Sequence, residues 1–179
     1  MSYKEQSGTG VAWLIPLKAI DADARAIHLG DVAELSLLPG QWEFVGDPLR
    51  MMLAGLEDPS RFPFSIEANG AVVGVLTLQC GAARLAGWED DDSAWLLRGF
   101  AIDTASQGRG IGRSAAAAAV EEARKLTAWL DGGQDGVVLS VNERNPAGRA
   151  AYAKAGFVDK GRYLGGSSGP QRTMFRAFA

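Results

Sequence analysis

The chain has 179 residues, a net charge of −3, one Cys and one His. One Cys forms no internal disulfide, and one Cys with one His falls short of a zinc site, which needs three or four ligands. A Ser-His-Asp triad would rest on His28 alone, and no G-x-S-x-G elbow is present.

Residues 1–10 read as a flexible tail, and 11–179 as a single domain. The tail has no apolar run with a cleavage site, and no stretch reaches the ~18 apolar residues of a membrane span. A cytoplasmic protein with no membrane partner is expected. The pI of 5.2 argues against nucleic acid. A homodimer is left open. "VAWLIPL" (11–17) is the first predicted strand. Residues 21–38 are mostly helical, interrupted by Gly30 and ended by Pro39-Gly40. Asp47 and Pro48 open a second helix over 47–56. "PFSIEANGAVVGVLTLQC" is a hairpin, with Asn69-Gly70 as its type I′ turn. An acidic loop (88–95) leads into a strand at 94–103. A long helix spans about 110–130, with Ile111, Ala115, Ala118, Ala119, Leu126 and Leu130 at helical spacing. "GVVLSV" (136–141) is a buried strand. A helix at 146–155 and two strands, 157–163 and 173–178, complete the chain. This is an α+β (mixed α/β) order: one mixed sheet of about six to seven strands flanked by helices.

The strongest chemical signal is "FAIDTASQGRGIGRS", where Gly108, Gly110 and Gly112 lie between a strand and a helix. Glycines let the backbone turn tightly, and the helix start presents unpaired N–H groups and a positive dipole end. That combination suits a pyrophosphate. No Walker Gly-Lys-Ser/Thr ending follows, and the spacing is not that of a dinucleotide fingerprint. Charge is divided along the chain. Residues 1–97 carry 6 Lys+Arg against 14 Asp+Glu, net −8, and residues 98–179 carry 12 against 7, net +5.

Gln107-Gly108-Arg109-Gly110-Ile111-Gly112 resembles the Q-x-x-G-x-G acetyl-CoA signature of the GNAT superfamily of N-acetyltransferases. "LSVNERNPAGRAAYAKAGF" resembles that family's later block, through Asn145, Tyr152, Gly156 and Phe157. Gly148 departs from it, the family more often having Ala there. The resemblance implies a splayed mixed sheet with acetyl-CoA, as co-substrate, in the split and no metal. It implies that Phe100, Ala101 and Ile102 hold the pantetheine arm and thioester through their backbone. It assigns the pyrophosphate to Gln107, Gly108, Arg109, Gly110, Ile111, Gly112, Arg113 and Ser114, and the arm also to Asn145. Tyr152 matches the tyrosine that protonates the leaving thiolate. A strand N–H around Ala101–Ile102 would stabilise the developing oxyanion.

The acceptor implied is a small-molecule amine. "LLPGQWEFV" and "LRGFAID" resemble segments of the bacterial spermine/spermidine acetyltransferase group, through Gln41, Phe44 and Val45 and through the Arg before Phe-x-Ile-Asp. Gln41 and Phe44 are thereby candidate acceptor-binding residues, and a polyamine-like amine is the first expectation. Gln171 stands where that group tends to carry Glu. Other amines (an antibiotic, an amino acid, a protein N-terminus), a non-catalytic acetyl-CoA sensor and a nucleotide-binding protein are the alternatives. Glu34, Glu43 and Glu67 are candidate bases that no spacing separates, and Cys80 reads as a small apolar residue.

Overall fold

The structure, a computed structural model, describes residues 10–179, without the side chain of Phe44. Apart from Gly10, the expected tail therefore lies outside the described residues. Seven strands form one sheet: β1 (Trp13–Pro16), β2 (Arg61–Ala68), β3 (Ala71–Gln79), β4 (Trp95–Ile102), β5 (Gly136–Asn142), β6 (Val158–Tyr163) and β7 (Gln171–Ala177). Their order is β1-β2-β3-β4-β5-β7-β6. Every pairing is antiparallel except β4 with β5. Five α-helices accompany them among the described residues: α1 (Ala22–Ala33), α2 (Trp42–Val45), α3 (Pro48–Glu57), α4 (Ile111–Trp129) and α5 (Pro146–Lys154).

The hairpin forms as its sequence dictates. Asn69 and Gly70 take φ of 52° and 78°, the left-handed pair of a type I′ turn. β2 and β3 leave it antiparallel, with Ala68 opposite Ala71. α3 starts as expected, with Asp47 accepting the N–H of Arg50 and Pro48 at the first position.

A parallel pair needs a crossover, and α4 supplies it between β4 and β5. Its buried side chains, Ile111, Ala115, Ala116, Ala119, Val120 and Ala123, recur at helical spacing. The alanines let the helix lie close against Trp95, Val137 and Leu139 in the larger core. A second core includes Val32 and Met52, from α1 and α3, packed with Val75 and Ala101 of the sheet.

Two local readings change. α1 passes through Gly30 without interruption and stops at Ala33. Gly30 is exposed and meets nothing crowded, so it costs the helix backbone entropy alone. The chain then leaves the helix and buries Leu37 in the second core. Pro39–Gln41 forms a 3-10 turn running into α2, the two together too short to carry a periodic signal. Among the described residues no helix is long and apolar enough to cross a membrane.

Candidate active site

β4 and β5 share two ladder pairs, Trp95↔Val137 and Leu96↔Val138. Past these rungs the strands part. The opening is a cleft with Leu97, Arg98, Gly99 and Phe100 on one wall and Leu139, Ser140, Val141 and Asn142 on the other. Val45, Asn145, Tyr152, Ser168 and Gln171 complete it. A glycine bulge shapes the β4 wall: the β3–β4 register shifts around Leu76, and Gly99 takes φ of 58°. Gly74 lets the two strands approach, since a Cβ there would strike the Ala101 carbonyl.

The parted edge of β4 exposes main-chain groups. Successive residues of a strand turn their N–H and C=O to opposite edges. Asp103 N–H bonds Val73 O on β3 at 2.8 Å. Ile102, one residue earlier, therefore turns its N–H and C=O to the cleft side. Its C=O accepts from Gln107 Nε2 at 2.9 Å, which leaves the N–H as the donor on that edge. Gln107 Nε2 also donates to Gln41 Oε1 at 3.0 Å, and that oxygen accepts Leu38 N–H at 3.1 Å. Gln41 is thus engaged within the protein and is not among the cleft-lining residues. Beside it, Ser36 N–H donates to Asp103 Oδ1, and Thr104 N–H and Oγ1 both donate to Ser36 O, each at 2.8 Å. Replacing Gln107 with Leu is expected to strip a donor from both Ile102 O and Gln41 Oε1. A loss of about 1–2 kcal/mol in urea unfolding checks this.

The glycine turn follows β4. Gly108 and Gly110 take φ of 73° and 79°, which side chains rarely adopt, and open space surrounds Gly108, Gly110 and Gly112. Gly110 caps α4, so the N–H groups of Ile111, Gly112 and Arg113 point outward unpaired by the helix. Ser114 is also bonded within the protein. Its N–H donates to Gly110 O at 3.0 Å and its hydroxyl accepts Ala12 N–H at 2.9 Å. It ties β1's approach to the helix start and keeps its hydroxyl hydrogen to donate. Arg109 and Arg113 are exposed beside the turn. This concave row of donors with two guanidiniums fits a pyrophosphate, and the cleft beside it fits an extended arm.

Tyr152 projects from α5 and is half-buried against Phe100 and Phe157, at ring-centroid distances of 5.7 and 6.0 Å. The density of protein around its hydroxyl raises its pKa well above the ordinary phenol value through desolvation. It therefore holds its proton at neutral pH. Asn145 caps α5, its Oδ1 accepting Gly148 N–H at 2.9 Å, and it lines the cleft. A Cβ on Gly148 would lie 2.6 Å from Asn145 Nδ2, so the glycine makes room for that cap.

The far end of the cleft is closed by the β6–β7 connection. Asn142 Nδ2 donates to Ser168 O at 2.6 Å, and Ser168 Oγ to Glu43 O of α2 at 3.2 Å. Ser140, Asn142 and Ser168 enter the site without having been singled out by sequence, and Gln171, noted there only for replacing a Glu, joins them. Ser140 and Asn142 carried a faint signal, as polar interruptions of an apolar strand. Glu34, Glu43, Glu67 and His28 are not cleft-lining residues. His28 Nδ1 lies 2.8 Å from Ser65 Oγ and Nε2 3.6 Å from Glu67 Oε1, a polar cluster between α1 and β2. Cys80 is half-buried, and burial pushes its thiol up, away from thiolate. Phe44's side chain lies outside what is described. No cluster of three His, Cys, Asp or Glu able to hold a metal occurs among the described residues.

Comparison with known proteins agrees with this architecture. The chain is 26% identical over 144 residues to YbbJ, an uncharacterized N-acetyltransferase of Bacillus subtilis, covering 80% of this chain and 88% of that one. Its fold matches the aminoglycoside acetyltransferase AAC(6')-Ib, solved with paromomycin and acetyl-CoA. That match has a TM-score of 0.67 and 20% identity, over 93% of this chain and 92% of that one. It also matches the spermidine N-acetyltransferase of Vibrio cholerae, solved with CoA and spermine, at TM-score 0.60 and 17% identity, over 93% and 95%. At such identities the structural likeness is one of fold. The acetyltransferase (GNAT) family model matches residues 30–157, a span that runs from the end of α1 through the parted strands to Phe157, and the chain belongs to that family.

Proposed function

We propose that the chain transfers an acetyl group from acetyl-CoA to a primary amine of a small molecule, by direct attack of the amine on the thioester. Family membership makes it an N-acetyltransferase with acetyl-CoA as acyl donor. Acetyl-CoA supplies the activated acyl group, and the protein supplies placement, charge stabilisation and a proton. The N–H groups of Gly108 to Arg113 would hold the pyrophosphate, with Arg109 and Arg113 adding charge. Gln107 keeps the turn joined to β4. Phe100 and Ile102 would hold the arm along the parted edge, with Ala101 between them turning its main chain to β3, and Asn145 would reach it from the opposite side. The Ile102 N–H is the donor for negative charge developing on the carbonyl oxygen. Tyr152 Oη gives its proton to the departing sulfur. The incoming amine gives up its proton to a base or a water chain, and no carboxylate lines the cleft among the described residues.

The observation that carries this reading is the parting of β4 and β5 after two rungs, with Tyr152 facing the opening. A thermal-shift comparison tests it. Acetyl-CoA at a hundredfold excess over its Kd is expected to raise Tm by about 5–10 °C, while ATP and NAD leave it unchanged. Release of free CoA thiol against a panel of amines, spermidine and spermine among them, then reports catalysis. Thiol release with no amine, despite acetyl-CoA binding, would favour a sensor.

A further inference from the structure

We propose that the acceptor amine also carries a carboxylate, and that Arg98 recognises it. The proposal rests on the N-acetyltransferase reading above and deepens it to a substrate class.

Arg98 is half-buried in the wall of the cleft. Its one hydrogen bond among the described residues goes to a neutral group, Nη1 donating to Gln79 Oε1 at 2.9 Å. No carboxylate lies within ion-pair distance of it among those residues. Asp58 acts on it only at longer range, and Asp58 is already occupied. Its Oδ2 lies 3.1 Å from Arg61 Nε, its Oδ1 accepts from Ser60 N–H and Oγ at 2.8 and 2.7 Å, and Lys18 Nζ sits on its main-chain oxygen at 2.6 Å. Arg61 thus holds the carboxylate directly, and the charge of Asp58 acts on Lys18 and Arg98 only from a distance. Burial, with the Arg61 charge beside it, pulls the Arg98 pKa below its ordinary value, as expected of a cation short of negative charge.

The remaining polar lining is neutral: Ser140, Asn142, Asn145, Ser168 and Gln171, with Tyr152 protonated. A polyamine's second ammonium would meet a guanidinium there and no counter-charge. A carboxylate would meet a planar fork with donors to spare, in a setting partly withdrawn from water. The phosphates of acetyl-CoA do not account for Arg98. The glycine turn lies beyond the C-terminal end of β4, and the run from Arg98 to Ile102 alone is about 13 Å of strand.

The test uses the whole enzyme and matched acceptors: a set of amino acids, each paired with its amide, together with spermidine and spermine. CoA thiol release is expected to give a kcat/KM about 10- to 100-fold higher for the acids than for the amides. Arg98→Gln is expected to erase that ratio through KM for the acid, and Arg98→Lys to restore part of it, while both keep the thermal shift by acetyl-CoA. Equal or better turnover of amides or polyamines would overturn the proposal, as would a preference for acids that survives Arg98→Gln. Binding of acetyl-CoA with no turnover of any acid would also overturn it and leave the donor site standing. Absence of any shift by acetyl-CoA would instead overturn the functional reading itself.

Discussion

Tyr152→Phe is expected to lower kcat by about 10²–10⁴-fold while acetyl-CoA still raises Tm as in the parent chain. The substitution removes one oxygen and keeps the ring that packs on Phe100 and Phe157. Binding along the β4 edge involves none of what is lost. The departing thiolate, however, must then take its proton from water. Desolvation sharpens the expectation in pH. A phenol pushed above its ordinary pKa stays protonated up to and beyond about pH 10, so its own ionisation sets no fall in rate below that pH. A pH–kcat profile of the parent that fell near neutrality with the ionisation of Tyr152 would contradict the assignment. Unchanged kcat in the Phe variant would remove Tyr152 from the proton-transfer step and leave it a packing residue.

Trp95→Ala is expected to cost about 3–5 kcal/mol in denaturant unfolding. Trp95 is fully buried, its ring stands edge-on to Phe62 at 5.4 Å, and its Nε1 donates to Thr127 Oγ1 of α4 at 2.7 Å. It also forms one of the two rungs that close the cleft. Truncation therefore empties the core where β4, β5 and the crossover helix meet. Acetyl-CoA is expected to bind more weakly as well, because the spacing of the walls is set there. Trp95→Phe, which keeps a ring and loses the Thr127 bond, should cost distinctly less. Similar losses for both would mean that the hydrogen bond, rather than the filled volume, holds the junction.

What could be read from the sequence was local or strongly patterned. Asn69-Gly70 specifies its own turn, and Gly108 and Gly110 sit where φ is positive. α4 shows its buried face as a run of alanines. The parted strands could not be deduced from periodicity, because β4 and β5 both read as ordinary apolar strands. The resemblance of two blocks supplied that expectation. Contacts between distant residues were invisible. Gln41 carried the right neighbours for an acceptor residue, yet its amide meets Gln107, 66 positions away. Arg98 was noticed only as part of a motif. Its significance depends on the neutral partner Gln79, 19 positions earlier, and on carboxylates that are elsewhere engaged. Charge totals carry no placement: among the described residues of 10–97, no Asp or Glu lines the cleft.

The four hydrogen bonds between 36–41 and 103–107 bear on how such a protein can be re-engineered. The segment before α3 and the turn after β4 are not interchangeable cassettes. A graft that replaces residues 34–47 to change the acceptor would discard Gln41 and with it one of the two partners that orient Gln107. Affinity for the acyl donor would then shift although no residue of the donor turn had been touched. Selection for a new acceptor in this chain should therefore recover changes at 41 and 107 together, and a library that varies both at once has more functional members than one that varies either alone.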